Sequence, residues 1–403
     1  MRTVIDNQLP PAVAPLPLSG RATGPGADTA PGAIPGAVPD TAGPERVLLL
    51  TPGPLTTSDR TRAALNHDWG SRDARFIALT SRLRERLAAV AGGTGTHETV
   101  LLPGSGTFAV EAAIQSLVPR DGRALVLANG AYGRRMAEML RRLGRAHDTM
   151  QWAEHEPVDP AALDRRLAAE PAVTDVLVVQ CETTSGILNP VDEVASAVRR
   201  HGRRLMVDAM SAIGALPVAA ARWNASAVMA SSNKGLEGVP GIGFVVAERA
   251  HLAASAGVAA SLSLDLHAQW DGFRRDGQWR FTPPVQVAAA LDAALDQLDE
   301  EGGVPARHAR YARNCRVLVD GMRALGFQTL LPDALQAPVI VTFRDPGPPF
   351  SFERFYDALQ AQGIVIYPGK LTREPSFRIG CIGAIGAADL ARAVRVAGDT
   401  LRR

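Results

Sequence analysis

Beyond Val47 the chain alternates between short, unbroken apolar runs and stretches whose apolar residues recur at helical spacing. The runs TVLLP, RALVLA, DVLVVQ, RLMVDA, AVMASS and GIGFVVA read as strands, and FAVEAAIQSL, RRMAEMLRRL and EVASAVRRHG as helices between them. Strands that are apolar on both faces belong to a sheet covered on both sides. The pattern therefore predicts an α/β fold with a mostly parallel open sheet. Ligands of such sheets sit beyond the carboxyl ends of the strands.

Past about residue 300 the pattern changes. A long helix from roughly Pro305 to Leu325 precedes APVIVTF, FERFYDALQAQG, IVIYPG, SFRIGCIG and a last helix, which predicts a compact α+β lobe. The expected division is a large domain over 46–300 and a small C-terminal domain over 301–403, because single cores rarely keep growing at this length. Residues 1–45 are a Pro, Gly and Ala mixture without either period and are expected to form a disordered tail. Prolines interrupt every apolar stretch there, against a signal peptide.

Composition narrows the partners. The formal net charge is +2 on 403 residues, so no basic field points to nucleic acid or an anionic membrane, and small-molecule substrates are expected. No apolar run is long enough to span a bilayer. Cys181, Cys315 and Cys381 are scattered, with no CxxC pair for a metal or redox couple. That usage suits a reducing cytoplasm, the expected location.

Candidate chemistry lies at the strand ends. Asp208 closes the run RLMVD, where a ligand would sit, although an Asp there can also simply cap the next helix or a loop. Lys234 comes 26 residues later, just past another apolar run, among small residues and glycines that let a planar ligand approach the backbone. Alone, such a lysine is usually a solvated charge. The two together supply what pyridoxal 5'-phosphate (PLP) chemistry needs: a lysine anchor, and an acid that keeps the pyridine nitrogen protonated. Ser105, Gly106 and Thr107 come after a strand and open a helix, so their N–H groups, the helix dipole and two hydroxyls suit the cofactor's phosphate. A Gly-Ser-Gly turn without other support would be only a tight turn.

The segments LPGSGTFAVEA, CETTSGILNP, VDAMSAIGALP, SSNKGLEGVPG, RFTPPVQ and FRIGCIG resemble, in order, the signature segments of class V aminotransferases. The resemblance implies a fold type I PLP-dependent transferase. It also implies that Tyr132 stacks on the pyridine ring and that Thr183 bonds the ring oxygen; Asn233, a cofactor-binding candidate beside the anchoring Lys234, stands where relatives vary. Thr282 would reach the phosphate of the neighbouring subunit's cofactor, making the active unit a homodimer with shared sites. Arg378 would grip the acceptor's carboxylate, a bidentate task that suits a guanidinium. Further segments, LLLTPGPLTTS, NGAYGRRM, GQWRFTPP and IVIYPGK, resemble the branch that moves an amino group from an aminophosphonate to a 2-oxo acid. Arg135 is then a second candidate for the doubly charged phosphonate.

Blander readings stay open for single residues: a core tyrosine for Tyr132, a residue before a Pro-Pro turn for Thr282, a structural ion pair for Arg378 and a surface charge for Arg135. Gln180 stands where relatives carry histidine, so no proton is handled there. The segment around Trp69 lies where substrate-facing residues are expected. Alternatives in function are an alanine– or serine–glyoxylate aminotransferase, a desulfurase, for which Cys381 sits in too tight a turn, and a PLP-binding regulator, for which no helix-turn-helix is visible.

Overall fold

A computed structural model of the protein describes residues 47–402. The tail expected over 1–45 lies outside the described residues.

The central sheet has seven strands in the order His97–Gly104, Gly241–Glu248, Ala225–Ser231, Arg204–Asp208, Asp175–Val179, Arg123–Ala128 and Ala146–Gln151. Gly241–Glu248 runs antiparallel to both of its neighbours, and the remaining pairings are parallel. Helices cover both faces, which is why Asp175–Val179 and Ala225–Ser231 are buried throughout. Helix Gly106–Leu117 buries Ala109, Val110, Ala113 and Ile114, small and medium side chains that bring its axis close to the sheet. The carboxyl ends of five parallel strands meet at one edge, carrying Ser105, Asn129, Gln180, Asp208 and Ser231 to the same side.

A second core forms around Phe327, Phe343, Phe355 and Phe377; Phe327 and Phe377 each lie 5.3 to 6.4 Å, ring to ring, from the other three. It is built on the antiparallel strands Ile340–Arg344, Ser376–Gly380 and Tyr367–Pro368, with helices Gly303–Ala324, Phe352–Gln360 and Ala387–Leu401. The expected long helix is thus present as Gly303–Ala324.

One segment joins a different core from the one its sequence position suggested. Strand Leu48–Leu49, placed at the start of the large domain by position, pairs in parallel with Ile364–Val365, and Leu48 and Leu50 are buried in the second core. An apolar triplet this short carries no information about which core it joins; a free strand edge at Ile364 decides it. The chain then crosses to the main core through residues 51–55, a path that carries the Pro52 carbonyl to Lys234. No helix among the described residues is long and apolar enough to cross a membrane.

Candidate active site

Strand Arg204–Asp208 delivers Asp208 to the sheet edge, buried and receiving the Met210 N–H at 2.9 Å. Burial raises this carboxyl to about 6, and the charge of Glu182 adds to the shift. Among the described residues, no lysine or arginine lies within ion-pairing distance of it. A buried carboxylate without a cationic partner fits a protonated ring nitrogen.

The adjacent strand Ala225–Ser231 leads into the loop of Asn233 and Lys234. The Lys234 amine donates to the Pro52 carbonyl at 2.8 Å. Burial holds its pKa below the usual lysine value, and the cations Lys370 and Arg378 act in the same direction. Gly53, at φ +115°, is required here: a Cβ would lie 2.7 Å from both the Lys234 Cδ and the Asn233 carbonyl. The Asn233 side chain accepts from Ser231 Oγ at 3.0 Å, bracing the loop rather than reaching into the site.

Helix Gly303–Ala324 fixes the same loop from below. Arg307, fully buried, donates to the carbonyls of Gly235 and Leu236 and to Glu301. Arg310 and Tyr311 hold the buried Glu237, and Arg310 also donates to the carbonyls of Gly383 and Ile385. The loop carrying Lys234 is therefore tied to the FRIGCIG turn.

At the end of strand His97–Gly104, Ser105 is the N-cap of helix Gly106–Leu117, and no side chain caps that end. The N–H groups of Gly106 and Thr107 thus remain available to an anion, with the Thr107 hydroxyl beside them, while the Phe108 N–H turns back to the Ser105 carbonyl at 3.0 Å. A Cβ on Gly106 would meet the Met210 side chain, so the helix start packs directly on the segment just after Asp208.

Tyr132 opens helix Ala131–Arg142. The phenol is lowered in pKa although burial opposes this, through a hydrogen bond with Thr183 and the charges of Lys370 and Lys234. Arg378, buried, donates to the carbonyls of Thr183 and Pro368 at 2.9 and 3.1 Å. Arg135 lies with its guanidinium 5.0 Å from the Tyr132 ring centroid and 3.4 Å from Thr107 Oγ1. Its neighbour Arg134 faces elsewhere, paired with Glu154 at 2.8 Å.

The structure thus brings Lys234, Asp208, Tyr132, Thr183, Arg135 and Arg378 around one space, with Ser105, Gly106 and Thr107 at its side. Thr282 is exposed and lies by Ser71, Arg72 and Trp279, without a contact to these site residues. Gln180 turns its amide to the Pro217 carbonyl and lines a separate cavity with Leu188 and Pro190. Trp69 packs on His67 and Phe76. Cys381 is buried beside Cys315, its thiol pushed well above the usual value, which is the wrong setting for a sulfur nucleophile.

Three contributors escape a reading of the sequence. Glu182, fully buried, accepts from the Thr184 hydroxyl and from the N–H groups of Tyr132, Gly133 and Thr184, so it holds the start of the Tyr132 helix. The Pro52 carbonyl faces Lys234, and Lys370 sits 4.2 Å from the Tyr132 ring centroid. An acid inside ETTSG and a lysine after YPG are the signals that could have found two of them.

Residues 58–393 match the family Aminotransferase class-V, and the chain belongs to that family. Among its curated relatives, a 2-aminoethylphosphonate–pyruvate transaminase of Pseudomonas putida strain GB-1 is 54% identical over 88% of this chain and 97% of the relative. A second relative, from Burkholderia lata and named 2-aminoethylphosphonate–pyruvate transaminase 2, is also 54% identical, over 88% of this chain and 95% of its own. Among solved structures, pyridoxamine–pyruvate aminotransferase from Mesorhizobium loti superposes with a TM-score of 0.81 at 26% identity, covering 89% of this chain and 92% of that one. Alanine–glyoxylate aminotransferase from Nostoc sp. gives 0.83 at 23% identity, covering 89% and 96%.

Proposed function

We propose that this protein is a PLP-dependent transaminase that moves the amino group of 2-aminoethylphosphonate to pyruvate, giving phosphonoacetaldehyde and L-alanine. The observation that carries this reading is the 54% identity to a transaminase of that name across 97% of its length. The donor set at the sheet edge fits the cofactor: an unpaired buried acid, an open helix start and a lysine of lowered pKa.

PLP, when bound, supplies an electrophilic carbon and a ring that accepts electrons from the carbon bearing the substrate nitrogen. Lys234 is the residue that would bond covalently to it. Ser105, Gly106 and Thr107 would hold its phosphate, Tyr132 would lie against its ring, Thr183 would bond the ring oxygen, and Asn233 would brace the anchoring loop. Asp208, buried at the sheet edge, would hold a proton on the ring nitrogen, and its carboxylate, sheltered from water, would need no reorganisation during the reaction. The Lys234 amine, when not bonded to the cofactor, would take and return protons as a general base, a task helped by its lowered pKa. Arg378 receives the carboxylate of pyruvate, and Arg135 is a further cation for the anionic substrate. Thr282, exposed in the single chain, would complete the partner's phosphate site in a cytoplasmic homodimer.

Incubating the purified holoenzyme with each amino donor and pyruvate, and quantifying alanine, tests the assignment. Alanine from 2-aminoethylphosphonate supports it. Turnover of alanine or serine with glyoxylate, but none with the phosphonate, replaces it with the glyoxylate alternative.

A further inference from the structure

Lys370 lies in the turn between Tyr367–Pro368 and Ser376–Gly380, strands paired antiparallel with Tyr367 opposite Arg378. The turn is pinned at two points. Gly369 N–H donates to the Ser376 carbonyl at 2.8 Å, and Thr372 N–H donates to Glu154 at 2.9 Å. Glu154 also pairs with Arg134 of the Tyr132 helix. This fastening holds the half-buried Lys370 with its amine 4.2 Å from the Tyr132 ring centroid.

Lys370, Arg135 and Arg378 all border the space beside Lys234, and among the described residues none of them forms an ion pair. The buried Asp208 and Glu182 act on Arg135 and Arg378 only from beyond ion-pairing distance, so three unpaired cations beside an amine of lowered pKa draw anions to this space. The cations divide by position. Arg135 leans on Thr107 at the helix start, the side of the cofactor phosphate. Arg378 already donates to the Thr183 and Pro368 carbonyls, which fixes its plane and leaves the rest of its fork for one singly charged group. A phosphonate near neutral pH carries more charge than a carboxylate and three oxygens instead of two. Its additional charge calls for a compact, mobile cation, which is what a lysine amine provides.

We propose that Lys370 is a specificity-determining residue, which leaves the Tyr132 ring to bind the phosphonate of the amino donor while Arg378 serves phosphonate and carboxylate alike. This rests on the aminophosphonate reading of the site. Discrimination then comes from geometry: a carboxylate needs only Arg378, whereas a dianion uses both cations.

The test compares wild type, Lys370→Met and Lys370→Arg holoenzymes in two half-reactions, with 2-aminoethylphosphonate and with L-alanine, and measures inhibition of the alanine reaction by ethylphosphonate. Loss of the lysine charge raises the KM for the aminophosphonate and the inhibition constant of ethylphosphonate about tenfold or more. The KM for L-alanine stays within about twofold, and Lys370→Arg recovers most of the loss for the phosphonates. Unchanged phosphonate constants overturn the proposal, as does an equal loss for alanine, which marks a structural or cofactor role. Wild type that ignores 2-aminoethylphosphonate overturns the functional reading instead, and ethylphosphonate still decides whether Lys370 serves a dianion.

Discussion

The Lys234 amine and the Pro52 carbonyl stand 2.8 Å apart, joining the anchoring loop of the large sheet to a segment that enters from the second core. Gly53 makes that approach possible. Gly53→Ala places a Cβ 2.7 Å from an unyielding backbone carbonyl, at a φ that alanine reaches only with strain of about 1–3 kcal/mol. The segment must lift, and kcat falls about tenfold or more because the lysine loses its setting. Steady-state kinetics alongside circular dichroism check this; an unchanged kcat in a folded variant contradicts it.

Asp208 gives a prediction about pH in the cofactor-free protein. Its folded pKa, about 6, lies above that of an unfolded aspartate, so the native state holds the extra proton between the two values. The corresponding stability is present at low pH and is lost as pH rises from about 4 through about 6. Asp208→Asn keeps an acceptor for the Met210 N–H and removes the buried charge. Denaturant unfolding of the apo forms should then show no advantage for the variant near pH 4 and a gain of about 1–3 kcal/mol at pH 7.5, while kcat of the holoenzyme falls about a hundredfold or more. A variant less stable than wild type at pH 7.5 contradicts the burial argument.

Arg307 is completely buried and serves two loop carbonyls and Glu301. Arg307→Met strands these acceptors and weakens a buried ionic cluster, at a cost of about 3 kcal/mol. Urea denaturation measures it. Because the loop of Lys234 loses its support, kcat drops together with stability; a variant of wild-type stability rules out this account of the network.

Thr282 is exposed and lies by Ser71, Arg72 and Trp279, without a contact to Lys234 in its own chain. If it completes the partner's phosphate site, Thr282→Ala weakens cofactor retention about tenfold, the effect of one hydrogen bond to a charged group. Dialysis against phosphate buffer with a cofactor assay measures this, and undiminished retention argues against shared sites.

Much of this was legible in the sequence, because strand runs and the loops at their ends are local features. RLMVD and AVMASS fix where Asp208 and Lys234 emerge, and the parallel sheet then forces them to the same edge. The direction of Gly241–Glu248 was not legible, since an apolar run reads alike in either orientation. Nor was the pairing of Leu48 with Ile364, on which the Pro52 contact depends. Glu182 and Lys370 were hidden for another reason: their roles come from partners on other elements, Tyr132 and its helix start, that no spacing rule connects to them.

The most direct test of the account is the absorbance spectrum of the purified holoenzyme mixed with 2-aminoethylphosphonate alone. The cofactor's aldehyde-form band should be lost as its amine form appears, pyruvate should restore the first, and Lys234→Ala should show neither change. A spectrum that ignores the phosphonate but shifts with alanine or serine would contradict it.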